Sequence, residues 1–386
     1  MANQTKILFP LGIATGAAHC NRQIERDALE DHILSGTHTW IWSRRRMGKT
    51  SLLEQVLIDV PRNSRSFVAT KKLDLNLVHD GESLEHAIRE AVGALTVQIR
   101  EENNLSEAWL LSLFQSFKPE LTLGAFGQKL KLTPLASPQD TITEALLKLE
   151  EAAKHTNNKA IFAIDEFQQL SQLTYGKADH SLEGAIRHAV ERSANVAYIF
   201  AGSERHLLEE MFENRDRPLF NLCRKLTLKR IGASHYRTHL NTNAKARWDR
   251  ELTEEQISHI FELTERHPQW LNGLCSILWR ESTPPSEDSI RAAWNDLYTE
   301  QLSVVQGTVT SLSATQRALL VGIALAGTVQ HPTSRPFLES IRLASSTGNS
   351  AKEMLTRQDL IEQNEDNHWR VVNPLMAKYL RDTNNQ

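Results

Sequence analysis

The chain has 386 residues and a formal net charge of −3 at pH 7. This length is enough for about two or three domains. Hydrophobic residues make up 40% and charged residues 24% of the chain, which are the proportions of a soluble globular protein. Because the net charge is small, it predicts no strong electrostatic field of either sign. Any binding of nucleic acid must therefore depend on local basic patches.

The cysteines and the first residues of the chain predict the cellular compartment of the protein. Cys20, Cys223 and Cys275 are odd in number, far apart and without metal-binding spacing, so they predict reduced thiols in a cytoplasmic protein. Residues 1–10 hold too short an apolar run for a signal peptide. No stretch of the sequence approaches the ~20 apolar residues that cross a bilayer. We therefore expect no membrane association.

A phosphate-binding loop is predicted near the amino terminus. Residues 1–20 are expected to be irregular, and a helical pattern opens over residues 20–29. The β-rich run Thr37–Trp42 then enters a loop that ends in Gly48-Lys49-Thr50, where a second helical pattern begins. This order is typical of a P-loop, in which backbone N–H groups surround phosphates at a helix N-terminus. Ser43 stands where the consensus has its first glycine.

The residues of this loop have separate predicted roles. Lys49 would reach the β- and γ-phosphates of ATP, and the Thr50 hydroxyl would ligate Mg²⁺. The arginines Arg44, Arg45 and Arg46 form either a solvated, salt-bridged loop face or contacts to phosphate, a neighbouring subunit or nucleic acid. The predicted nucleotide-contacting residues of the loop are Ser43, Arg44, Arg45, Arg46, Met47, Gly48, Lys49, Thr50 and Ser51.

Helical and strand patterns alternate after the loop, up to about residue 230. A strand over 66–75 and a helix over 83–100 precede residues 105–136. In residues 120–132 apolar positions alternate around two glycines, which predicts a hairpin or an extended insertion. A clear helix follows over 141–154. Alternation of this kind predicts a parallel sheet flanked by helices.

Two acidic residues follow a strand that the five apolar residues Ala160–Ile164 predict to be buried. Ligands bind at the carboxyl ends of strands in such sheets, so Asp165 is predicted to hold Mg²⁺ with Thr50. Glu166 is predicted to act as the general base that polarises the attacking water. The alternative is that both acids merely cap a helix N-terminus. The P-loop upstream favours an ATPase.

Two further residues are candidates for catalysis. Ser203 follows a third buried strand, Val196–Ala201, and would hydrogen-bond the γ-phosphate or the attacking water. The alternative is an ordinary strand-to-helix cap. Arg224, shortly after Pro218-Leu-Phe220, is a candidate arginine finger that would act on the site of a neighbouring subunit.

The carboxyl-terminal part of the sequence is mainly helical. Four helical patterns lie between residues 234 and 306. Three helices, a two-stranded pair over 360–372 and a closing helix then suggest a winged helix-turn-helix. The predicted domains are an irregular segment 1–20, a core 21–232 with the insertion 105–136, a helical region 233–308, which the resemblance described next implies to be a lid, and a winged-helix domain 309–386.

Several motifs together resemble one ATPase family. Residues 43–53, 164–169 and 200–203 look like the P-loop, Walker B and sensor 1 motifs of the archaeal-type AAA-like family, which is also found in bacteria. That family is close to the STAND signalling ATPases and the origin-recognition initiators. Asn21–Glu25, 218–220, His267-Pro268, 332–334 and 371–375 also match its pattern.

The resemblance implies an AAA-like P-loop core, a helical lid and a winged helix, with ATP hydrolysis coupled to domain movement. By the same likeness, Arg45 and Arg46 occupy the positions of the family's paired arginines, and Pro268 lies where the lid approaches the nucleotide base. The sequence departs from the family at Ser43 and at Glu265-Arg266, where the family tends to have small residues.

The charge of the terminal domain does not favour DNA. Affinity for DNA comes largely from neutralised phosphates. Residues 340–386 contain six basic and six acidic residues, and the expected wing, 362–369, is acidic except for His368. DNA binding and protein docking or autoinhibition are therefore both retained as roles for this domain.

The sequence thus predicts a cytoplasmic ATPase that binds ATP and Mg²⁺, hydrolyses ATP slowly and releases ADP. Its nucleotide state would control engagement of a homo-oligomer, a protein partner or DNA through the winged helix. Two alternatives remain: a nucleotide-binding scaffold without hydrolysis, which Ser43 favours, and a winged-helix regulator in which ATP is only a structural ligand.

Overall fold

The computed structural model of the chain describes residues 8–124, 127–134, 138–173 and 181–384. The chain forms two compact units. We call one the sheet unit, Arg22–Arg44 with Lys49–Lys229, and the other the helical unit, Met1–Asn21 with Arg45–Gly48 and Arg230–Gln386. No helix among the described residues is long and apolar enough to cross a membrane.

The sheet unit alternates strands and helices. Its strands are β1 (Thr39–Trp42), β2 (Val68–Asp74), β3 (Phe117–Gly124), β4 (Gly127–Pro134), β5 (Lys159–Asp165), β6 (Val196–Gly202) and β7 (Arg224–Thr227). Its helices are α1 (Gln23–Leu34), α2 (Lys49–Asn63), α3 (Gly81–Glu102), α4 (Glu107–Leu113), α5 (Pro138–His155), α6 (Ser181–Val190) and α7 (Arg205–Glu213). A five-stranded parallel sheet has the order β2-β5-β6-β1-β7.

The central strands are buried on both faces, which explains their continuous apolar sequences. Alternate residues of β5 and β6 enter two different hydrophobic clusters. Phe162, Ile164, Tyr198 and Phe200 pack in a cluster with α3, α5 and α6, whereas Ile161, Ala163, Ala197 and Ile199 pack with α1 and α2. The two clusters hold the sheet between two layers of helices. Because β1, β5 and β6 are parallel neighbours, their carboxyl ends lie at one edge of the sheet.

The insertion contains an antiparallel hairpin. β3 pairs with β4 from Phe117 opposite Pro134 to Leu123 opposite Gln128, and the short helix α4 precedes it. The predicted hairpin is therefore confirmed, apart from residues 125–126 and 135–136 of the predicted insertion, which lie outside the described residues. The hairpin approaches α3 closely, since a Cβ on Gly93 would lie 2.6 Å from the Leu130 carbonyl oxygen.

The helical unit has one hydrophobic core that includes Phe9 and Cys20 as well as residues from Ile231 to Leu380. Its helices are α8 (Ala233–Trp248), α9 (Glu254–Thr264), α10 (Pro268–Leu278), α11 (Glu287–Thr310), α12 (Ala314–Ala326), α13 (Arg335–Ser340), α14 (Ser345–Arg357) and α15 (Pro374–Asn384). The antiparallel strands β8 (Ile361–Gln363) and β9 (Trp369–Val371) lie between α14 and α15. Three helices followed by this ribbon have the order of a winged helix.

Candidate active site

The loop between β1 and α2 has the backbone of a tight turn at two places. Arg46 and Gly48 have φ values of 65° and 87°, in the left-handed region. Ser43 has no positive φ, so its backbone conformation does not require glycine. Its side chain is fully buried, its backbone N–H donates to the Gly202 carbonyl at 3.4 Å, and its hydroxyl donates to the Arg44 carbonyl at 3.1 Å. Serine therefore fits the position of the first consensus glycine.

Lys49, the first residue of α2, is surrounded by acidic groups from the end of β5. Its ammonium group donates to Asp165 and, at 3.0 Å, to Glu166 Oε1. Thr50 Oγ1 donates to Asp165 Oδ2 at 2.9 Å. Lys49 and Asp165 are only 6% and 2% exposed, so their charges depend on each other. The P-loop and Walker B positions thus meet in one buried cluster.

Glu166 is held by three side chains. Its Oε1 accepts from Lys49, and its Oε2 accepts from Gln168 Nε2 at 2.6 Å and from Ser203 Oγ at 2.9 Å. Burial disfavours the charged form of Glu166. However, the ammonium of Lys49 and the hydrogen bonds from Gln168, Lys49 and Ser203 outweigh burial and lower the pKa of its carboxyl group. Glu166 is therefore ionised at neutral pH.

The sheet topology explains why these side chains meet. Trp42, the last residue of β1, pairs with Gly202, the last residue of β6, and β6 lies beside β5. Ser43, Ser203 and Glu166 each follow directly after one of these strand ends. The structure therefore brings five predicted residues together: Lys49, Thr50, Asp165, Glu166 and Ser203. Their catalytic roles remain predictions.

The other loop residues are arranged differently. The Arg44 guanidinium lies 5.7 Å from the centre of the Trp42 ring, and Arg205 of α7 lies 5.1 Å from the same ring. Arg45 and Arg46 are exposed, and Met47 is buried. Ser51 lies in the first turn of α2 and is partly buried. Nucleotide contacts by these residues stay predictions.

Arg224 does not join the cluster of its own chain. It is the exposed first residue of β7 and pairs with Thr39, the first residue of β1. Lys49 and Glu166 instead follow the carboxyl ends of parallel strands. Arg224 therefore lies at the opposite end of the sheet, and its role as an arginine finger remains a prediction.

Pro268 belongs to the helical unit, where it begins α10 after the N-cap residue His267. Glu265 and Arg266 before it have φ values of 47° and 57°. Burial, followed by the nearby cations Arg230 and Arg370, lowers the pKa of His267 well below its usual value. The predicted contact of Pro268 with the nucleotide base stays a prediction.

Charged side chains of the wing form ion pairs with other residues of the helical unit. The Glu362 carboxylate lies 2.8 Å from Arg230 and 3.0 Å from Arg370. Arg230, with a side chain only 3% exposed, also donates to the carbonyl oxygens of Glu265 at 2.6 Å and Val372 at 2.7 Å. Arg230 therefore joins the segment before α8, the turn before α10 and the wing.

Comparisons with known proteins agree with this architecture. Residues 304–382 match the family model described as a probable winged helix domain. A Walker-type ATPase of Pyrococcus abyssi is similar in structure with a TM-score of 0.68 and 18% identity, covering 97% of this chain and 99% of that chain. The ORC2 protein of Aeropyrum pernix, solved in ADPNP–ADP complexes, has a TM-score of 0.59 and 14% identity, covering 98% and 96% respectively. No curated protein matches the chain.

At these identities the likeness shows the fold. A parallel sheet of the P-loop ATPase type is flanked by helices, and a winged helix lies at the carboxyl terminus. Both the predicted fold class and the predicted resemblance to archaeal-type ATPases and origin-recognition proteins are confirmed. The boundary between lid and winged helix, predicted at 308–309, stays a prediction.

Proposed function

We propose that the chain binds ATP with Mg²⁺ at the β1–α2 loop and hydrolyses it slowly to ADP and phosphate. The observation that carries this proposal is the pairing of buried Lys49 with both Asp165 and Glu166 at the carboxyl edge of the sheet. A buried ammonium beside a loop of this shape is suited to phosphate oxygens. Binding of ATP would transfer Lys49 from the carboxylates to the β- and γ-phosphates.

Mg²⁺ fits the donor set beside Lys49. The Thr50 hydroxyl and the Asp165 carboxylate are hard oxygen ligands, and Thr50 Oγ1 lies 2.9 Å from Asp165 Oδ2. We assign the metal to these two residues. When bound, Mg²⁺ supplies positive charge that neutralises the oxygens of the β- and γ-phosphates.

Glu166 is the proposed general base. Once Lys49 turns to the phosphates, Glu166 can accept a proton from a water molecule. The water oxygen forms a bond to the γ-phosphorus while the bond to the β,γ-bridging oxygen breaks, so that ADP and inorganic phosphate leave. Ser203 donates to the second carboxylate oxygen, and we propose that it helps to orient the base there, in place of the predicted hydrogen bond to the γ-phosphate or the attacking water.

The test of hydrolysis is a turnover assay that compares the wild-type chain with Glu166→Gln. We expect Glu166→Gln to bind Mg-ATP with similar affinity but to lose at least about 10²-fold in kcat, because the amide cannot accept the proton. Binding is measured separately by titration with a fluorescent ATP analogue. Equal, slow turnover in both proteins would contradict the enzyme and favour a nucleotide-binding scaffold.

We further propose that the nucleotide state controls engagement of an oligomer or of a partner by the winged helix. Arg230 and Arg370 are already paired with Glu362 of the wing. This pairing favours a protein partner over DNA, because paired arginines contribute less to the neutralisation of DNA phosphates. Titration of duplex DNA at two salt concentrations, with and without Mg-ATP, distinguishes the two partners. A DNA affinity that rises with Mg-ATP and falls steeply with salt would instead identify DNA as the partner.

A further inference from the structure

Gln168 is a buried residue beside Glu166 for which no role was predicted from the sequence. It lies two residues after Glu166 in a short 3₁₀ turn, Phe167–Gln172, and is only 1% exposed. Its Nε2 donates to Glu166 Oε2 at 2.6 Å. Its Oε1 is buried and accepts no hydrogen bond within the described part of the chain. An amide that leaves one end unpaired in order to bond a carboxylate at the other is costly to bury.

The end of β6 is shaped to admit this amide. A Cβ on Gly202 would lie 2.1 Å from Gln168 Oε1 and 2.8 Å from Leu208 Cδ1. No side chain larger than hydrogen therefore fits at Gly202 unless the Gln168 amide moves. Gly202 has no positive φ, so space rather than backbone conformation requires glycine here.

The two oxygens of Glu166 differ in what nucleotide binding would do to them. Oε1 accepts from Lys49, which ATP is expected to take away. Oε2 accepts from Gln168 and Ser203, neither of which needs to move when phosphate binds. The hydrogen bonds to Oε2 would therefore keep the carboxylate in place while Oε1 becomes the oxygen that is free to accept a proton.

We propose that Gln168, admitted by Gly202, is a positioning residue that fixes the Glu166 carboxylate for hydrolysis. The inference rests on the proposed ATPase function. Gln168 acts through Glu166 and touches neither the nucleotide nor the water.

The experiment measures kcat and KM for Mg-ATP at pH 7 in the full chain, and the urea midpoint of unfolding of each variant. The test variant is Gln168→Leu, and the matched control is the adjacent, partly buried Gln169→Leu. In Gln168→Leu we expect kcat to fall about tenfold with KM within about twofold, because the Glu166 carboxylate acts in the chemical step and not in binding. Gln169→Leu should keep the wild-type kcat and KM.

Two further variants keep the test decisive if Gln168→Leu does not fold. Gln168→Met keeps the length of the side chain without its donor and should show the same loss of kcat at nearly unchanged KM. Gly202→Ala displaces the amide without deleting it, and should lower kcat in the wild-type background but have little further effect when combined with Gln168→Met. A purely structural role would instead give additive losses of stability and would leave the kcat of the folded variants unchanged.

Failure of this inference is distinguishable from failure of the proposed function. If wild-type turnover exceeds that of Glu166→Gln while Gln168→Leu or Gln168→Met keeps the wild-type kcat, the positioning role is wrong and the ATPase stands. Equal losses in the Gln168 variants and in Gln169→Leu would overturn the positioning role as well. If wild-type turnover does not exceed that of Glu166→Gln, the ATPase is wrong and the positioning role falls with it.

Discussion

At the scale of single residues, Lys49 has two acidic partners in the structure, and phosphate is its proposed partner when ATP binds. Its ammonium is neutralised by Asp165 and Glu166. Removing one member of a buried ion pair typically costs about 3–5 kcal/mol, because the remaining charge is left uncompensated. Lys49 therefore stabilises the sheet unit when nucleotide is absent and is proposed to bind phosphate when it is present.

We predict that Lys49→Ala abolishes stabilisation by Mg-ATP. At a nucleotide concentration of 100 Kd, the wild-type chain should gain about 2.7 kcal/mol of unfolding free energy, and the variant should gain none. The measurement is the change in Tm on adding Mg-ATP, which separates binding from the lower stability of the variant itself. Lys148→Ala, which removes a surface lysine paired with Glu151, is the control and should respond like the wild type. An unchanged Tm increase in Lys49→Ala would disprove the assignment.

The cluster around Lys49 was predictable only in part. Lys49, Thr50 and Asp165 could be placed together because parallel strands end at one edge of a sheet. Gln168 could not, since its contact with Glu166 depends on the left-handed φ of 52° at Glu166 and on the missing side chain at Gly202. Backbone reversals and local clearances of this kind leave no periodic signal in a sequence.

At the scale of elements, the loop before β6 is organised by one residue of α5. The Glu150 carboxylate is only 8% exposed and accepts hydrogen bonds from the backbone N–H groups of Ala194, Asn195 and Val196 and from the Asn195 side chain. Val196 is buried, Asn195 is partly buried and Ala194 is exposed, so without Glu150 the Val196 N–H would lie away from water without a partner. Glu150 thus fixes the entry to the strand whose far end carries Gly202 and Ser203.

We predict that Glu150→Ala lowers the free energy of unfolding by about 1–3 kcal/mol, because the buried Val196 N–H and the partly buried Asn195 N–H lose their acceptor. The measurement is equilibrium unfolding in urea. The matched control is the neighbouring Glu151→Ala, which removes a 58% exposed carboxylate and should change stability by less than about 0.5 kcal/mol. Similar losses in both variants would show that the Glu150 network contributes little.

Elements differed in how well the sequence predicted them. The hairpin of β3 and β4 followed from apolar alternation around glycines, and β5 and β6 followed from continuous apolar runs. No strand was predicted at β7, because its four residues begin with the exposed Arg224 and Lys225. A short edge strand with basic side chains is held by its pairing with β1, which no local pattern reveals.

At the scale of the whole molecule, the position of Arg224 leads to a prediction about how turnover depends on the number of chains. It lies at the amino end of β7, whereas Lys49 and Glu166 follow the carboxyl ends of their neighbouring strands. An arginine finger at this position could serve only the site of another copy. Turnover per chain should then rise with protein concentration.

We predict that Arg224→Ala lowers kcat by roughly 10³-fold while nucleotide binding is retained. Mixing Arg224→Ala with Lys49→Ala should restore turnover, because the second variant supplies the arginine and the first supplies an intact phosphate loop. Turnover is measured for each variant alone and for the mixture at one total concentration. A fully active Arg224→Ala, or a mixture no more active than its components, would remove Arg224 from catalysis.

The buried guanidinium of Arg230 has a practical consequence for dividing the chain into fragments. The matched winged-helix region begins at residue 304, yet Glu362 in its wing is bound by an arginine 132 positions earlier. A fragment that begins at residue 304 would lack Arg230, and the Glu362 carboxylate would lose that partner. A fragment that keeps the ion pair of Glu362 must therefore begin before Arg230. The terminal domain is better isolated together with the helices that precede it.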